Sequence, residues 1–186
     1  MKKIFLIALL FISHCINSQT FDVINPEKNI GMSNWNIVND DVMGGISKSY
    51  LSVNDENNLI FNGYLSLEYN GGFASSRLSF NREMLAGVKA FRLKIKGDGN
   101  TYKFRVSERY SSINYSSNFK TIKEKWVEIN IPLEKLEPTF MGYYSSRAPR
   151  LKIENMRSIG FLISDKQEGS FNLEIMLVEG IYKDKL

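Results

Sequence analysis

Apolar and polar residues alternate along most of the chain, a pattern typical of β-strands with one buried and one exposed face. One run places Leu59, Phe61, Leu65, Leu67 and Tyr69 on the same parity. The same alternation recurs in the stretches AFRLKIK, TYKFRV, WVEINIP, IGFLI and FNLEIML. The glycine-rich turn between the first two of these stretches predicts a hairpin. The pattern therefore predicts antiparallel sheets.

Helical signals are confined to three short segments, NREMLAG with a cap at Asn81, LEKLEP and LKIENM. None is long enough to form an architectural helix. Neither an internal repeat nor a linker divides the chain. We therefore predict an all-β fold, a single-domain antiparallel β-sandwich with the topology of a jelly roll.

The N-terminus has the form of a secretory leader. Two lysines precede the apolar run Ile4–Ile12, and small polar residues follow. We place the cleavage after Ser18, so that residues 1–18 are the predicted signal peptide and residues 19–186 the sandwich domain. This predicts an exported protein, periplasmic or extracellular, with no segment long enough to span a membrane.

The same leader contains the single histidine and the single cysteine of the chain, His14 and Cys15. Cys15 leaves a lipid-anchored form as an alternative, although lipoprotein signals place a small residue where His14 stands. Cleavage removes both residues, which excludes Ser-His-Asp triads, cysteine nucleophiles, disulfides and zinc sites built on histidine or cysteine. It also lowers the formal net charge from +4 to +2. A balance this near to neutral gives no basis for nucleic-acid binding.

The stretch NDDVMGGIS combines two adjacent carboxylates, Asp40 and Asp41, with the glycine pair Gly44 and Gly45. The two acids are candidate ligands for a structural Ca²⁺, but calcium needs six or more oxygens and the segment adds few besides Asn39. Adjacent strand residues also point to opposite faces. The structural alternative is a turn in which aspartate accepts backbone N–H bonds and glycine supplies positive φ or close packing.

A second glycine pair stands in GGFASSR, which contains Gly72 and Arg77. Its amides could cradle an anion, but neither a P-loop nor a dinucleotide turn has this spacing. Glycine at the start of a strand, where another backbone approaches closely, is the simpler interpretation. Arg77 could also pair with Asp40 or Asp41 through two parallel hydrogen bonds and so fix two loops to each other.

Aromatic residues set among serine and asparagine suggest a ligand surface. Tyr110 follows one strand run, and Tyr143, Tyr144 and Arg147 lie together in FMGYYSSRAPR. If the two segments meet on one sheet face, these four residues are the candidate binding residues for a sugar or a protein. The alternative is that aromatic residues of the same segments enter the core, which strand parity predicts for part of them.

Asp98 in KGDG and Asp165 in SDKQEG are ambiguous in the same way as Asp40. Each could join a site for a hard metal ion, and each is equally explained as part of a polar turn. A glycosidase needs only two carboxylates, but the sequence places no two of them on opposite sides of a sugar. We therefore predict that the protein is not an enzyme.

Four segments together resemble the complex I intermediate-associated protein family: WNIVNDDVMGGIS, GGFASSR, KGDGNTYKF and IGFLISDKQEGSFNLEI. The family is named for a mitochondrial assembly factor of NADH:ubiquinone oxidoreductase, and the resemblance covers about residues 21–182. It implies a galactose-binding-like β-sandwich with a non-catalytic role in binding or assembling other proteins. The structural motif residues are Trp35, Asn39, Asp40, Asp41, Gly44, Gly45, Gly72, Arg77, Asp98 and Asp165.

The predicted function is a binding or assembly-accessory module that acts on a protein partner in the cell envelope or outside the cell. The alternative is a carbohydrate-binding module with an aromatic sheet face around Tyr110, Tyr143 and Tyr144. No cofactor is predicted beyond the structural calcium considered for Asp40 and Asp41.

Overall fold

The computed structural model describes residues 19–80 and 85–182 as two antiparallel sheets packed face to face. Sheet I comprises β1 (Thr20–Ile24), β3 (Lys48–Val53), β4 (Leu59–Leu65), β6 (Val88–Gly97), β9 (Trp126–Pro132) and β13 (Gly169–Tyr182). Sheet II comprises β2 (Trp35–Asn39), β5 (Ala74–Ser79), β7 (Thr101–Glu108), β8 (Asn114–Lys120), β10 (Glu137–Phe140), β11 (Tyr143–Tyr144) and β12 (Met156–Ile163). Short 3₁₀ turns occupy Pro26–Lys28, Asp40–Met43, Glu68–Asn70, Leu133–Lys135 and Ile153–Asn155.

The last strand, β13, lies inside sheet I, whose order is β3-β4-β13-β6-β9. One edge of β13 pairs with β6, and the other pairs first with β4 and then with β1. Sheet II has the order β11-β10-β8-β7-β12-β5-β2. The chain changes sheet between β2 and β3 and again between β4 and β5, so both connections cross from one sheet to the other.

The space between the sheets is filled largely by aromatic side chains. Phe91 of sheet I and Phe104 of sheet II have ring centroids 5.0 Å apart, which joins the two layers directly. Successive ring contacts extend this pair into a chain through the core: Phe91, Phe104, Phe161, Phe119, Tyr102, Phe171 and Phe61. These rings come from alternate positions of their strands, as the period-2 pattern requires.

The structure confirms the predicted all-β antiparallel sandwich. The predicted hairpin of β6 and β7 is wrong: β6 pairs with β9 and β13 in sheet I, whereas β7 pairs with β8 and β12 in sheet II, so the glycine-rich turn carries the chain from one sheet to the other. The only helical structure in the predicted segments LEKLEP and LKIENM is one 3₁₀ turn each, with a strand that begins directly after the turn or one residue later. The cap at Asn81 lies outside the described residues, as do residues 1–18 with His14 and Cys15. In the two ranges that are described, no helix has the length and apolar character needed to cross a membrane.

Candidate functional site

Asp40 joins two of the connections that cross between the sheets. Residues 40–47, which we name the Asp40 loop, lead from β2 to β3, and residues 66–73 lead from β4 to β5. The Asp40 side chain is fully buried between these connections. Its carboxylate accepts hydrogen bonds from the Ser47 backbone N–H (2.9 Å) and hydroxyl (2.5 Å), and from the backbone N–H groups of Gly72 (2.6 Å) and Phe73 (3.3 Å). One carboxylate therefore fixes both crossings.

Glycine residues make room for this buried carboxylate. A Cβ atom on Gly45 would overlap the Asp40 carboxylate, and one on Gly71 would crowd it. Gly44 has a φ of 92° and Gly72 a φ of 130°, values that L side chains rarely adopt. The aspartate and the paired glycines of the sequence motif are thus parts of one structural unit.

The two adjacent carboxylates do not form a joint site. Asp41 is exposed, whereas Asp40 is buried and both of its oxygens accept hydrogen bonds. Asn39, the other candidate oxygen donor, accepts a hydrogen bond from the Ser49 hydroxyl at 2.6 Å. Within the described ranges, no group of three or more histidine, cysteine, aspartate or glutamate side chains is arranged to hold a metal ion. The motif geometry thus favours the structural interpretation over calcium.

The hydrogen bonds of Asp40 predict a specific pH dependence. Burial acts to raise the pKa of Asp40, but its hydrogen bonds with Ser47, Gly72 and Phe73 outweigh burial and hold that pKa below its ordinary value. A lowered pKa stabilises the folded state above the unfolded-state pKa of about 4, and this stabilisation is lost as the pH falls through the folded-state pKa. We expect the stability difference between the wild type and Asp40→Asn to shrink below about pH 4. Urea unfolding from pH 3 to pH 7 measures it, and a constant difference would contradict the assignment.

The predicted pair between Arg77 and an aspartate of the motif is wrong. Arg77 forms no ion pair with Asp40 or Asp41, and its Nε is buried without a hydrogen-bond partner among the described residues. The reason is strand parity. Its neighbours Ser76 and Leu78 are buried, and Arg77 lies on the outer face of sheet II, opposite Gly160 of β12. Asp40 is bound by backbone N–H groups instead of by the guanidinium of Arg77.

Asp98 and Asp165 lie in separate turns. Asp98 follows β6 and accepts hydrogen bonds from the Tyr102 hydroxyl (3.0 Å) and the Asn172 N–H (2.8 Å), which ties the β6–β7 turn to the core and to β13. Burial, and then the Asp98 charge, raises the pKa of Tyr102, which keeps its hydroxyl protonated as the donor. Asp165 follows β12 and pairs with Lys103 at 2.9 Å. Both aspartates hold turns in place.

One motif residue remains, Trp35. Trp35 begins β2 and donates from its indole N–H to the Gly31 carbonyl at 2.8 Å, which fixes the start of that strand. Val42 and Met43, which the motif analysis did not single out, are 67% and 61% exposed on the Asp40 loop, and Ile46 is also exposed. Three apolar side chains therefore face solvent directly above a fully buried carboxylate. Their only sequence signal is that apolar residues occur inside a turn.

The two aromatic segments are neighbours, because β10 pairs with β8. The β10–β11 hairpin turns at Met141 and Gly142, whose φ values of 48° and 85° match the positive values that a type I′ turn requires. Tyr143 and Tyr144 on this hairpin are exposed, and Tyr110 in the β7–β8 turn is 96% exposed.

One of these tyrosines lines a cleft. Among the three tyrosines and Arg147, only Tyr144 lines a polar cleft of about 440 Å³, together with Lys103, Ser116 and Glu137. Arg147 is exposed on the loop after the hairpin.

Comparison with known families decides the relationship of this chain. The family model described as Complex I intermediate-associated protein 30 matches residues 22–175. The chain belongs to this family. The family resemblance predicted from the four sequence segments is thereby confirmed, and the Asp40 loop lies within the matched range.

Curated relatives agree with this membership. A Caenorhabditis elegans protein named as a probable mitochondrial complex I intermediate-associated protein 30 is 29% identical over 161 residues, covering 75% of this chain and 47% of the relative. The mitochondrial complex I intermediate-associated protein 30 of Mus musculus is 25% identical over 175 residues, which cover 82% of this chain and 53% of the relative. The chain spans about half the length of these family members.

Solved structures show the fold alone. The family 11 carbohydrate-binding module of a Clostridium thermocellum cellulosomal cellulase matches with a TM-score of 0.69 at 13% identity, covering 91% of this chain and 98% of the module. A family 30 module from another cellulase of that organism has a TM-score of 0.60 at 12% identity, covering 90% and 99%. The likeness confirms the predicted jelly-roll sandwich of the galactose-binding-like type.

The predicted localisation is wrong. The form of residues 1–18 predicts a protein in the periplasm or outside the cell. The curated family members named above are mitochondrial by name, which contradicts export. An apolar run preceded by lysines was therefore a poor guide to the compartment.

Proposed function

We propose that the chain is a non-catalytic binding module that contacts a protein partner during the assembly of complex I. The observation that carries this proposal is the Asp40 loop, which exposes Val42, Met43 and Ile46 to solvent. The backbone of this loop is fixed by the hydrogen bonds that the Asp40 carboxylate accepts. The names of the curated relatives support the choice of complex I.

A rigid loop with apolar side chains in solvent is suited to binding a protein. Exposed apolar groups gain free energy when a partner removes them from water. The hydrogen bonds of Asp40 to Ser47, Gly72 and Phe73 order the loop before binding, so less conformational entropy is lost when the partner docks. The family motif thus stabilises the backbone and presents the side chains between its aspartate and its serine.

Catalysis and sugar binding have less support. The motif carboxylates do not face each other across a cleft, because Asp40 is buried and Asp41 is exposed. Carbohydrate binding is supported only by the likeness of fold to carbohydrate-binding modules at 12–13% identity. Of the three candidate tyrosines, Tyr144 lines the polar cleft.

A photo-crosslinking experiment tests the proposal. A benzophenone amino acid placed at Met43 in the full chain is expected to crosslink to a complex I subunit in cells of the source organism. The adduct would be identified by mass spectrometry of bands from native gels. Met43→Asp is expected to reduce co-purification of complex I intermediates by about tenfold or more, because a charge replaces an apolar contact.

The matched control is Ile122, an exposed apolar residue in the β8–β9 connection. Ile122→Asp is expected to leave co-purification within about twofold of the wild type, and a crosslinker at Ile122 should not capture the same subunit. Equal losses for the two aspartate variants, or crosslinks to unrelated proteins only, would refute the proposal.

A further inference from the structure

The outer face of sheet II carries a pair of arginines that nothing described so far uses. Arg77 on β5 and Arg105 on β7 are both Cα partners of Gly160 on β12, one on each side. Two strand spacings therefore separate their Cα atoms, about 10 Å. Their chain neighbours Ser76, Leu78, Phe104 and Val106 are buried, so both guanidinium groups lie on the outer face.

The strand between the two arginines, β12, has a glycine at the position that both of them face. Gly160 has no side chain, and a Cβ atom there would overlap the backbone of Ser76. Ser158 and Leu162 lie two residues before and after Gly160, on the same face of β12. Each is only 6% exposed. Gly160 is buried as well, as expected if the arginine side chains on the two neighbouring strands cover this part of β12.

Neither arginine has a counter-charge in the described ranges. No carboxylate lies within ion-pairing distance of Arg77 or Arg105, and the Nε atoms of both are buried without a hydrogen-bond partner. Burial lowers the pKa of Arg105 to about 10, and the Arg77 charge adds to this effect. Burial and then Arg157 lower the pKa of Arg77. Half-buried guanidinium groups that repel one another cost free energy unless an anion completes the site.

We infer that Arg77, Gly160 and Arg105 form a docking site for an acidic segment of a protein partner, whose carboxylates pair with the two guanidinium groups. A guanidinium presents parallel N–H donors that match a carboxylate. Two guanidinium groups on strands about 10 Å apart can each bind a separate carboxylate of an acidic peptide. A single compact dianion is too small to bind both in this way. The inference rests on the proposed function, since it names the chemistry of a second contact with a protein.

The experiment follows the Arg Nε–Hε signals of the full chain by ¹H–¹⁵N NMR during titration with a hexaglutamate peptide. The Arg77 and Arg105 signals are expected to shift saturably, with weaker binding at 500 mM than at 50 mM NaCl. Arg77→Gln and Arg105→Gln are each expected to weaken binding about tenfold. Lys89→Gln, the same charge change on the exposed face of sheet I, should alter it less than twofold.

Parallel titrations separate the ligand classes. Hexaglutamine should leave both signals unmoved. Tighter binding of an oligogalacturonate or of inorganic phosphate than of hexaglutamate would assign the site to a saccharide or a phosphate and overturn the inference. Absence of any shift with hexaglutamate would also overturn it, while crosslinking at Met43 to a complex I subunit would still support the proposed function. The two failures are thus distinguishable.

Thermal unfolding of Arg105→Met gives an independent readout. Methionine keeps an apolar stem at this position and removes the unpaired charge, so the Tm is expected to rise by about 2 °C or more while hexaglutamate binding is lost. A lower Tm would show that Arg105 serves the fold, which would overturn its role as a docking residue.

Discussion

Asp40→Asn is expected to destabilise the protein by about 3 kcal/mol. The change preserves the volume of the side chain but replaces one acceptor oxygen with an N–H₂ group. That group then faces donors from Ser47, Gly72 or Phe73, which are left without an acceptor. Buried donors that lose their partner cost the full free energy of desolvation. Chemical denaturation at pH 7 measures the loss through the shift of the unfolding midpoint.

The neighbouring Asp41 is the control that the sequence itself provides. It has the same chemistry, is adjacent in the chain and is exposed. Asp41→Asn is expected to change the free energy of unfolding by no more than about 0.5 kcal/mol. Comparable losses for the two variants would mean that the loop responds to net charge rather than to the bonds of Asp40.

Phe104→Ala is expected to lower the free energy of unfolding by about 3–5 kcal/mol. Phe104 is fully buried and contacts Phe91 across the sheets at 5.0 Å and Phe161 within its own sheet at 6.0 Å. Truncation removes apolar contacts from both layers and leaves a cavity that the sheets cannot close by a small shift. Calorimetry and urea unfolding both report this loss.

Phe140 serves as the matched control for Phe104, because it is an exposed phenylalanine at the end of β10. Phe140→Ala is expected to change stability by about 0.5 kcal/mol or less. If its effect approached that of Phe104→Ala, the hairpin of β10 and β11 would have to be packed against something that contributes to stability.

The fold could be predicted because burial in a sandwich imposes a period of two. Phe91, Leu93 and Ile95 show that period in sequence, and all three are fully buried in β6. Strand β5 is harder to recognise, since its buried positions include Ser75 and Ser76. The hydroxyl of Ser75 is satisfied by the Val38 carbonyl at 2.7 Å, a partner that exists only once β2 lies beside β5.

The candidate site could be predicted only in part. The link between the aspartate and the glycines of NDDVMGG is local, so turn chemistry suggested it. Two partners of Asp40 are distant in sequence, because Gly72 and Phe73 donate from backbone N–H groups, which side-chain chemistry does not reveal. Arg77 looked like the better partner on charge alone. Its position on the outer face depends on the pairing of β5 with β12, which the sequence does not display.

The central place of β13 in sheet I has a consequence for how the protein is made. While residues 169–182 are still inside the ribosome, β4, β6 and β1 are already synthesised but have no strand to lie between them. The nascent chain can form the β3–β4 hairpin and the pairs within sheet II, yet one side of its core is still open to water. The pairing of Phe21 with Gly180 closes a loop that spans nearly all of the described residues, so this sandwich is completed only after β13 has left the ribosome.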